Sequence, residues 1–175
     1  MVSRTITAAT LETVANAGLN LMMVSTDRRF HSIKRRDPMK LEKPRGELDL
    51  DQLIRSMEPV LHPDIFVFTT VDQNINCDSL RPVMQFSESE GKSLILTREN
   101  ALAKGIDFEF PCRMITLNVH SALEAVGFLA RITQRLAGLN MGVNPVSGFY
   151  HDHLFVPDDR ADDAMAELQR MIAGH

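Results

Sequence analysis

The sequence predicts an α+β protein with antiparallel sheets and helices packed on one face, and three observations carry that prediction. Apolar residues alternate at period two over 114–120. They recur at helical spacing over 121–136 and again over 161–172. With two further strand-like runs between the helices, the order is β-α-β-β-α, the ferredoxin-like split βαβ arrangement. Such a unit lacks a fourth strand, and an open apolar edge invites aggregation, so the edge must come from the first half of the chain or from another subunit, and a strand from the first half is the expectation. The reading is an N-terminal extension over 1–46 and two interlocked units over 47–111 and 112–175, with no repeat at the level of residues.

In chain order, residues 25–46 show no sustained apolar period and hold Arg28-Arg29, Lys34-Arg35-Arg36, Pro38 and Pro44, which reads as a linker. Asp49 with Gln52 three residues on resembles a capping box, and Leu50, Leu53, Ile54 and Met57 follow at helical spacing until Pro59. Ile65-Phe66-Val67-Phe68-Thr69-Thr70-Val71 is β-branched and aromatic throughout, as in a strand inside a sheet. A helix is expected from Ser79 to Glu90, a short strand over 93–97 and one or two helical turns over 99–104. Residues 108–110 read as extended. Ser121 and Glu124 form a capping box that predicts a helix from Ser121 to Gly138, with Ala125, Leu129, Ile132 and Leu136 inward. Strands over 141–147 and 151–156 flank a turn at Gly148. Pro157-Asp158 opens a last helix, with Ala161, Ala164, Met165, Leu168, Met171 and Ile172 on one stripe.

The chain has 175 residues, 44% hydrophobic and 24% charged, which is the composition of an ordinary globular protein. Its formal charge of -4 divides unevenly. Residues 1–47 hold nine Lys/Arg against five Asp/Glu, and residues 48–175 hold ten against eighteen. The acidic body excludes a nucleic-acid surface over 48–175, and the absence of Trp with a single Tyr removes a stacking platform for bases. The longest uncharged run, 136–151, contains Asn140, Asn144, Pro145 and three Gly, so no membrane span is expected. Cys77 and Cys112 fall in no CxxC pair, which points to a reducing cytoplasm. No nucleophile elbow, phosphate loop or HExxH string occurs. Cys112 reads as a small buried hydrophobe, and Glu88 and Glu90 as solvated.

Strand neighbours locate a candidate site. In this topology the first and third strands of the second unit are adjacent and antiparallel, so His120 is expected near His151 and His153. With Ile115, Leu117 and Val119 facing the helices, Asn118 and His120 face away. His151 and His153 do the same, and Asn144 joins them from the neighbouring strand. The Ser121 helix start, at the same end, presents free N–H groups suited to a carboxylate. Three readings stand. The cluster is a hydrogen-bonded sheet surface, or a pocket in which Ser121 and the helix start take a carboxylate while Asn144, His151 or Asp152 takes an ammonium. The third is a divalent-metal site on His120, His151 and His153, which would support a metal-dependent hydrolase; the remaining alternative for the chain as a whole is a purely structural assembly domain.

Several stretches are similar to a known family. These are Leu53-Ile54-Arg55-Ser56-Met57-Glu58-Pro59-Val60-Leu61, Phe66-Val67-Phe68 and Glu88-Ser89-Glu90-Gly91-Lys92-Ser93-Leu94-Ile95-Leu96. In the second half they are Ile115-Thr116-Leu117-Asn118-Val119-His120-Ser121-Ala122-Leu123-Glu124-Ala125-Val126-Gly127 and Tyr150-His151-Asp152-His153-Leu154-Phe155-Val156-Pro157. Together they resemble bacterial small ACT-domain proteins over roughly residues 47–172. The resemblance implies a tandem ACT fold related to the regulatory domains of aspartate kinases, without catalysis or a cofactor. It also implies a small ligand, often an amino acid, at a domain or subunit interface, and a homodimer. Pro145, Ser147 and Phe149 depart from the family pattern around the turn at Gly148.

Overall fold

A computed structural model describes residues 46–175, so the expectations for the extension lie outside the described residues except at Gly46. Helix α1 (Leu50–Ser56) begins as its capping pattern predicts, with the Asp49 carboxylate accepting from the Gln52 amide at 2.7 Å. The 13-residue strand β1 (Pro59–Val71) follows, then β2 (Met84–Ser87), β3 (Lys92–Thr97), helix α2 (Arg98–Lys104) and β4 (Glu109–Leu117). Helix α3 (Phe128–Ala137), β5 (Asn144–Ser147), β6 (Asp152–Pro157) and helix α4 (Ala161–Ile172) complete the second half.

All six strands form one antiparallel sheet in the order β2-β3-β1-β4-β6-β5. The edge that the second half lacks is covered by β1, which pairs with β4, as expected from the incomplete βαββα pattern. The register slips between Leu61 and Ile65, and the Arg113 guanidinium donates to the His62 carbonyl at 2.6 and 3.0 Å across that bulge.

Side-chain alternation divides the sheet into two faces. Ile115 and Leu117 of β4 and Leu154 and Val156 of β6 pack under α1, α3 and α4. Val67, Leu94 and Leu96 join Ala101 of α2 in a smaller cluster. The other face gathers Phe66, Ile95, Cys112 and Phe155, with Phe66 and Phe68 each edge-on to Phe155 at 5.9 and 5.8 Å. Fully burying one such side chain contributes about 1.5–3 kcal/mol, so these clusters fix the strand register more firmly than turn chemistry alone.

The sheet reads alike from both ends. Six paired positions join β1 to β3 and six join β4 to β6, with Val71 opposite Lys92 where Leu117 is opposite Asp152. The four-position ladders β2/β3 and β5/β6 end likewise, Ser87 opposite Lys92 and Ser147 opposite Asp152. This backbone repeat is invisible at the level of residue identity.

Two sequence expectations are corrected. The helix expected over 79–90 is a 3-10 turn at Asp78–Leu80 followed by β2, because Met84 pairs with Ile95 and its side chain joins the apolar cluster on that face. The helix expected from Ser121 starts at Phe128, behind Gly127 with φ +90°. Ser121 does not cap it. Its backbone pairs with Glu47, and its hydroxyl is committed to Asp152.

Candidate functional site

A cavity of about 180 Å³ opens on the helix side of the sheet, where β4 ends, β6 begins and α3 starts. Ser121, Ala122, Gly127, Phe128, Ser147 and Asp152 are among its lining residues. The alternation that sends Leu154 and Val156 into the core sends Asp152 the same way, and the residue is only 6% exposed. Its carboxylate accepts from the Ser121 hydroxyl at 3.0 Å, its single side-chain partner among the described residues.

The opposite wall is the first turn of α3, whose cap residue is glycine and supplies no side-chain acceptor. The amides of Phe128, Leu129 and Ala130 precede the first intrahelical bond, from Arg131 to Gly127, and these three residues line the cavity. The site therefore has a negative pole at Asp152 and a positive pole at the helix end, where the peptide dipoles leave partial positive charge.

The wall between them is held from outside. The Glu47 amide donates to the His120 carbonyl at 2.8 Å and the Ala122 amide to the Glu47 carbonyl at 3.0 Å. The Glu47 carboxylate accepts from the amides of Leu48 and Asp49, at the start of α1.

The other expected site residues are dispersed. Asn118 is exposed and donates its amide to the Glu58 carbonyl. His120 lies beyond the end of β4, against Tyr150 at 5.6 Å, and His151 Nδ1 is 3.5 Å from the Val119 carbonyl. His153 and Asn144 point to the sheet face away from the cavity, as alternation predicts. No group of three or more His, Cys, Asp or Glu among the described residues is able to hold a metal ion, so His120, His151 and His153 do not assemble the expected set.

Sequence reasoning missed His62. Its Nε2 lies 2.8 Å from Thr116 Oγ1, which lies 3.0 Å from His153 Nδ1. The hydroxyl has a single proton, so Thr116 donates to one imidazole and accepts from the N–H of the other. His153 is held below the usual histidine range, first by burial, then by His151 and His62, against the opposing pull of Asp152. The bulge at 62–64 that brings His62 there has no signature in periodicity. Cys112 is fully buried, its thiol donates to the Phe66 carbonyl at 3.3 Å, and burial pushes its pKa up to about 12. No helix among the described residues is long and apolar enough to cross a membrane.

Two models of the ACT domain match the chain, over residues 45–113 and 109–170. Among solved structures, the chain is similar to a Vibrio cholerae protein of unknown function, described as a possible transport protein. The two are 37% identical at a TM-score of 0.65, covering 70% of this chain and 95% of that one. An Agobacterium tumefaciens protein shares the fold at 12% identity and a TM-score of 0.58, over 66% of this chain and 89% of that one. A looser likeness, 11% identical with a TM-score of 0.46 over 65% and 95% of the two chains, is to the regulatory subunit of aspartate kinase from Thermus thermophilus in its ligand-free form. No curated protein matches.

Proposed function

The chain belongs to the ACT-domain family as a tandem ACT protein, and from that premise we propose that it is a non-catalytic regulatory module that binds a free amino acid between Ser121, Asp152 and the start of α3. The two units run over 47–111 and 112–175. The observation that carries the reading is the bipolar cavity: a buried carboxylate faces a helix end with uncapped amides across about 180 Å³. A cavity of about 150 Å³ is enough for a ring the size of benzene, so this one suits a small zwitterion.

In this reading Asp152, oriented by Ser121, receives the ammonium, and the amides of Phe128, Leu129 and Ala130 receive the carboxylate. A cation alone or an anion alone would satisfy one pole and leave the other without a partner. The loop that lines the site is bonded to Glu47, whose carboxylate holds the start of α1. A ligand that shifts residues 121–127 therefore biases the packing of α1, which is a population shift between two arrangements of one core. The working form is a homodimer. Cys77 and Cys112, both free and buried, suit a reducing cytoplasm.

A thermal-shift screen of the twenty amino acids tests the proposal. A ligand at one hundred times its dissociation constant stabilises the folded state by about 2.7 kcal/mol, so one or a few amino acids should raise the melting temperature. Asp152→Asn and Ser121→Ala should erase that shift without lowering the ligand-free melting temperature by more than a few degrees. A flat screen of the wild type sinks the reading.

A further inference from the structure

Ser121 and Asp152 have counterparts in the first half of the sheet. The two ladders of matching length superpose Lys92 on Asp152, and the turns between the paired strands agree, the Glu88 amide donating to the Gly91 carbonyl at 2.8 Å and the Gly148 amide to the His151 carbonyl at 2.9 Å. Counting on from the strand ends, Gln73 stands for Val119 and Ile75 for Ser121. The side-chain contacts repeat with the positions. Asp152 bonds to Ser121, and Lys92 Nζ donates to the Ile75 carbonyl at 2.8 Å. His151 Nδ1 lies 3.5 Å from the Val119 carbonyl, and Gln73 Nε2 donates to the Gly91 carbonyl at 3.0 Å and also to that of Glu88.

The chemistry of the two places differs in every feature that a zwitterion needs. The carboxylate is replaced by an ammonium that is already bonded to backbone. The Gln73 carboxamide reaches from the loop to two carbonyls of the turn, those of Glu88 and Gly91, where the second half has the single His151–Val119 contact at 3.5 Å. Between β1 and β2 the described chain has a three-residue 3-10 turn, Asp78–Leu80, where the second half has the ten residues of α3. No row of helical amides is presented there to take a carboxylate.

We propose that the first half carries the counterpart of the ligand cavity, closed by the chain's own Gln73 and Lys92, so that each chain takes one amino acid and not two. The proposal rests on the reading of the Ser121–Asp152 cavity as the ligand site. Gln73 and Lys92 act as an internal tie between the loop after β1 and the β2–β3 hairpin, with each donor nitrogen already committed to a backbone carbonyl of the chain. The asymmetry has a regulatory consequence: half of the sheet is fixed and the other half responds, so the ligand changes the relation between them.

Two measurements on the full chain test this. The first is equilibrium dialysis against a uniformly labelled mixture of the twenty amino acids. The wild type should saturate at one equivalent per chain, Asp152→Ala should bind none, and the double variant Gln73→Ala, Lys92→Ala should still bind at least one. Two equivalents on the wild type, or loss of the label in the double variant with retention in Asp152→Ala, overturns the proposal. The second is ligand-free melting. The double variant should melt several degrees below the wild type, whereas Ser121→Ala with Asp152→Ala, which removes one hydrogen bond together with a buried carboxylate, should stay within a few degrees of it. A double variant that melts with the wild type overturns the closure whatever the dialysis shows. No label on the wild type overturns the ligand reading of Asp152, and the closure then stands or falls on the melting result.

Discussion

Gly46 tests whether the ligand loop is held from outside. A Cβ placed on Gly46 would lie 2.3 Å from the Ala122 amide nitrogen, 2.5 Å from the Ser121 carbonyl carbon and 2.6 Å from the Ala122 Cα. All three are backbone atoms, so no rotamer change relieves the contact and the two segments must part. Parting breaks the Glu47–His120 and Ala122–Glu47 hydrogen bonds of 2.8 and 3.0 Å. At about 0.5–1.5 kcal/mol net for each bond, Gly46→Ala should cost about 1–3 kcal/mol. For a chain of this length that is a fall in melting temperature of about 2–12 °C. Gly142→Ala is the control, since its Cβ meets nothing within 4 Å and its φ lies outside the left-handed region. It should be neutral or stabilise by about 0.4–1 kcal/mol. Hydrogen exchange locates the damage: the amides of Glu47 and Ala122 should lose protection in Gly46→Ala, while those of β3 keep theirs. Wild-type melting with both amides still protected would refute the claim that this bridge holds the loop.

Three other outcomes follow from single groups. His153 has its folded pKa lowered by burial, so it binds fewer protons folded than unfolded. Stability should be level above the ordinary histidine value of about 6.5 and fall as pH drops below it, down to the lowered pKa. A pH series of melting curves should show that limb flattened in His153→Gln. Glu167 is held below the carboxylate range first by its hydrogen bond from Arg170, helped by Arg135 against the opposing effect of burial. Its contribution is present above that range and is lost as pH falls through the lowered value. Both guanidinium groups are about half exposed, so Glu167→Gln should cost about 1 kcal/mol by denaturant titration near neutral pH and progressively less as pH falls through the lowered value. Cys112, with its thiol pushed up to about 12, should react with a disulfide reagent at pH 8 only as fast as the protein unfolds. Rapid labelling of the native protein at that position would contradict its burial.

How much of this could be read from the chain depends on what each feature leaves in the order of residues. The 114–120 alternation, the Asp49 cap and the 161–172 stripe each express one element's own geometry, and each element formed where expected within a few residues. The borrowed edge was legible too, because a β-α-β-β-α run leaves one strand short. The expected helices at 79–90 and 121–127 failed for a shared reason. Ser121 has the residue spacing of a cap, but a bond to Asp152, 31 positions away, takes the hydroxyl that the cap would have used. Met84 and Phe86, two positions apart, diverge on a helix and share one face of a strand, and pairing with β3 selects the strand.

Of the residues expected at the site, Ser121 and Asp152 line the cavity, and His151 and His153 flank Asp152 in the sequence. His153 and His151 drew attention because histidine binds many things, yet alternation had already placed them on the face away from the helices. Asp152 lies between them on the core-facing side, in phase with Leu154 and Val156. A carboxylate at a core-facing position is costly unless something meets it, so its presence there is the stronger signal of a site. Lys92 is likewise in phase with the core residues Leu94 and Leu96, and what meets it is the chain's own Ile75 carbonyl. In a strand whose apolar phase is known, the charged residue in phase marks the position to examine. Its partner then separates the two cases: a backbone carbonyl satisfies Lys92 within the chain, whereas Asp152, with one hydroxyl and an open cavity, is left able to take a ligand.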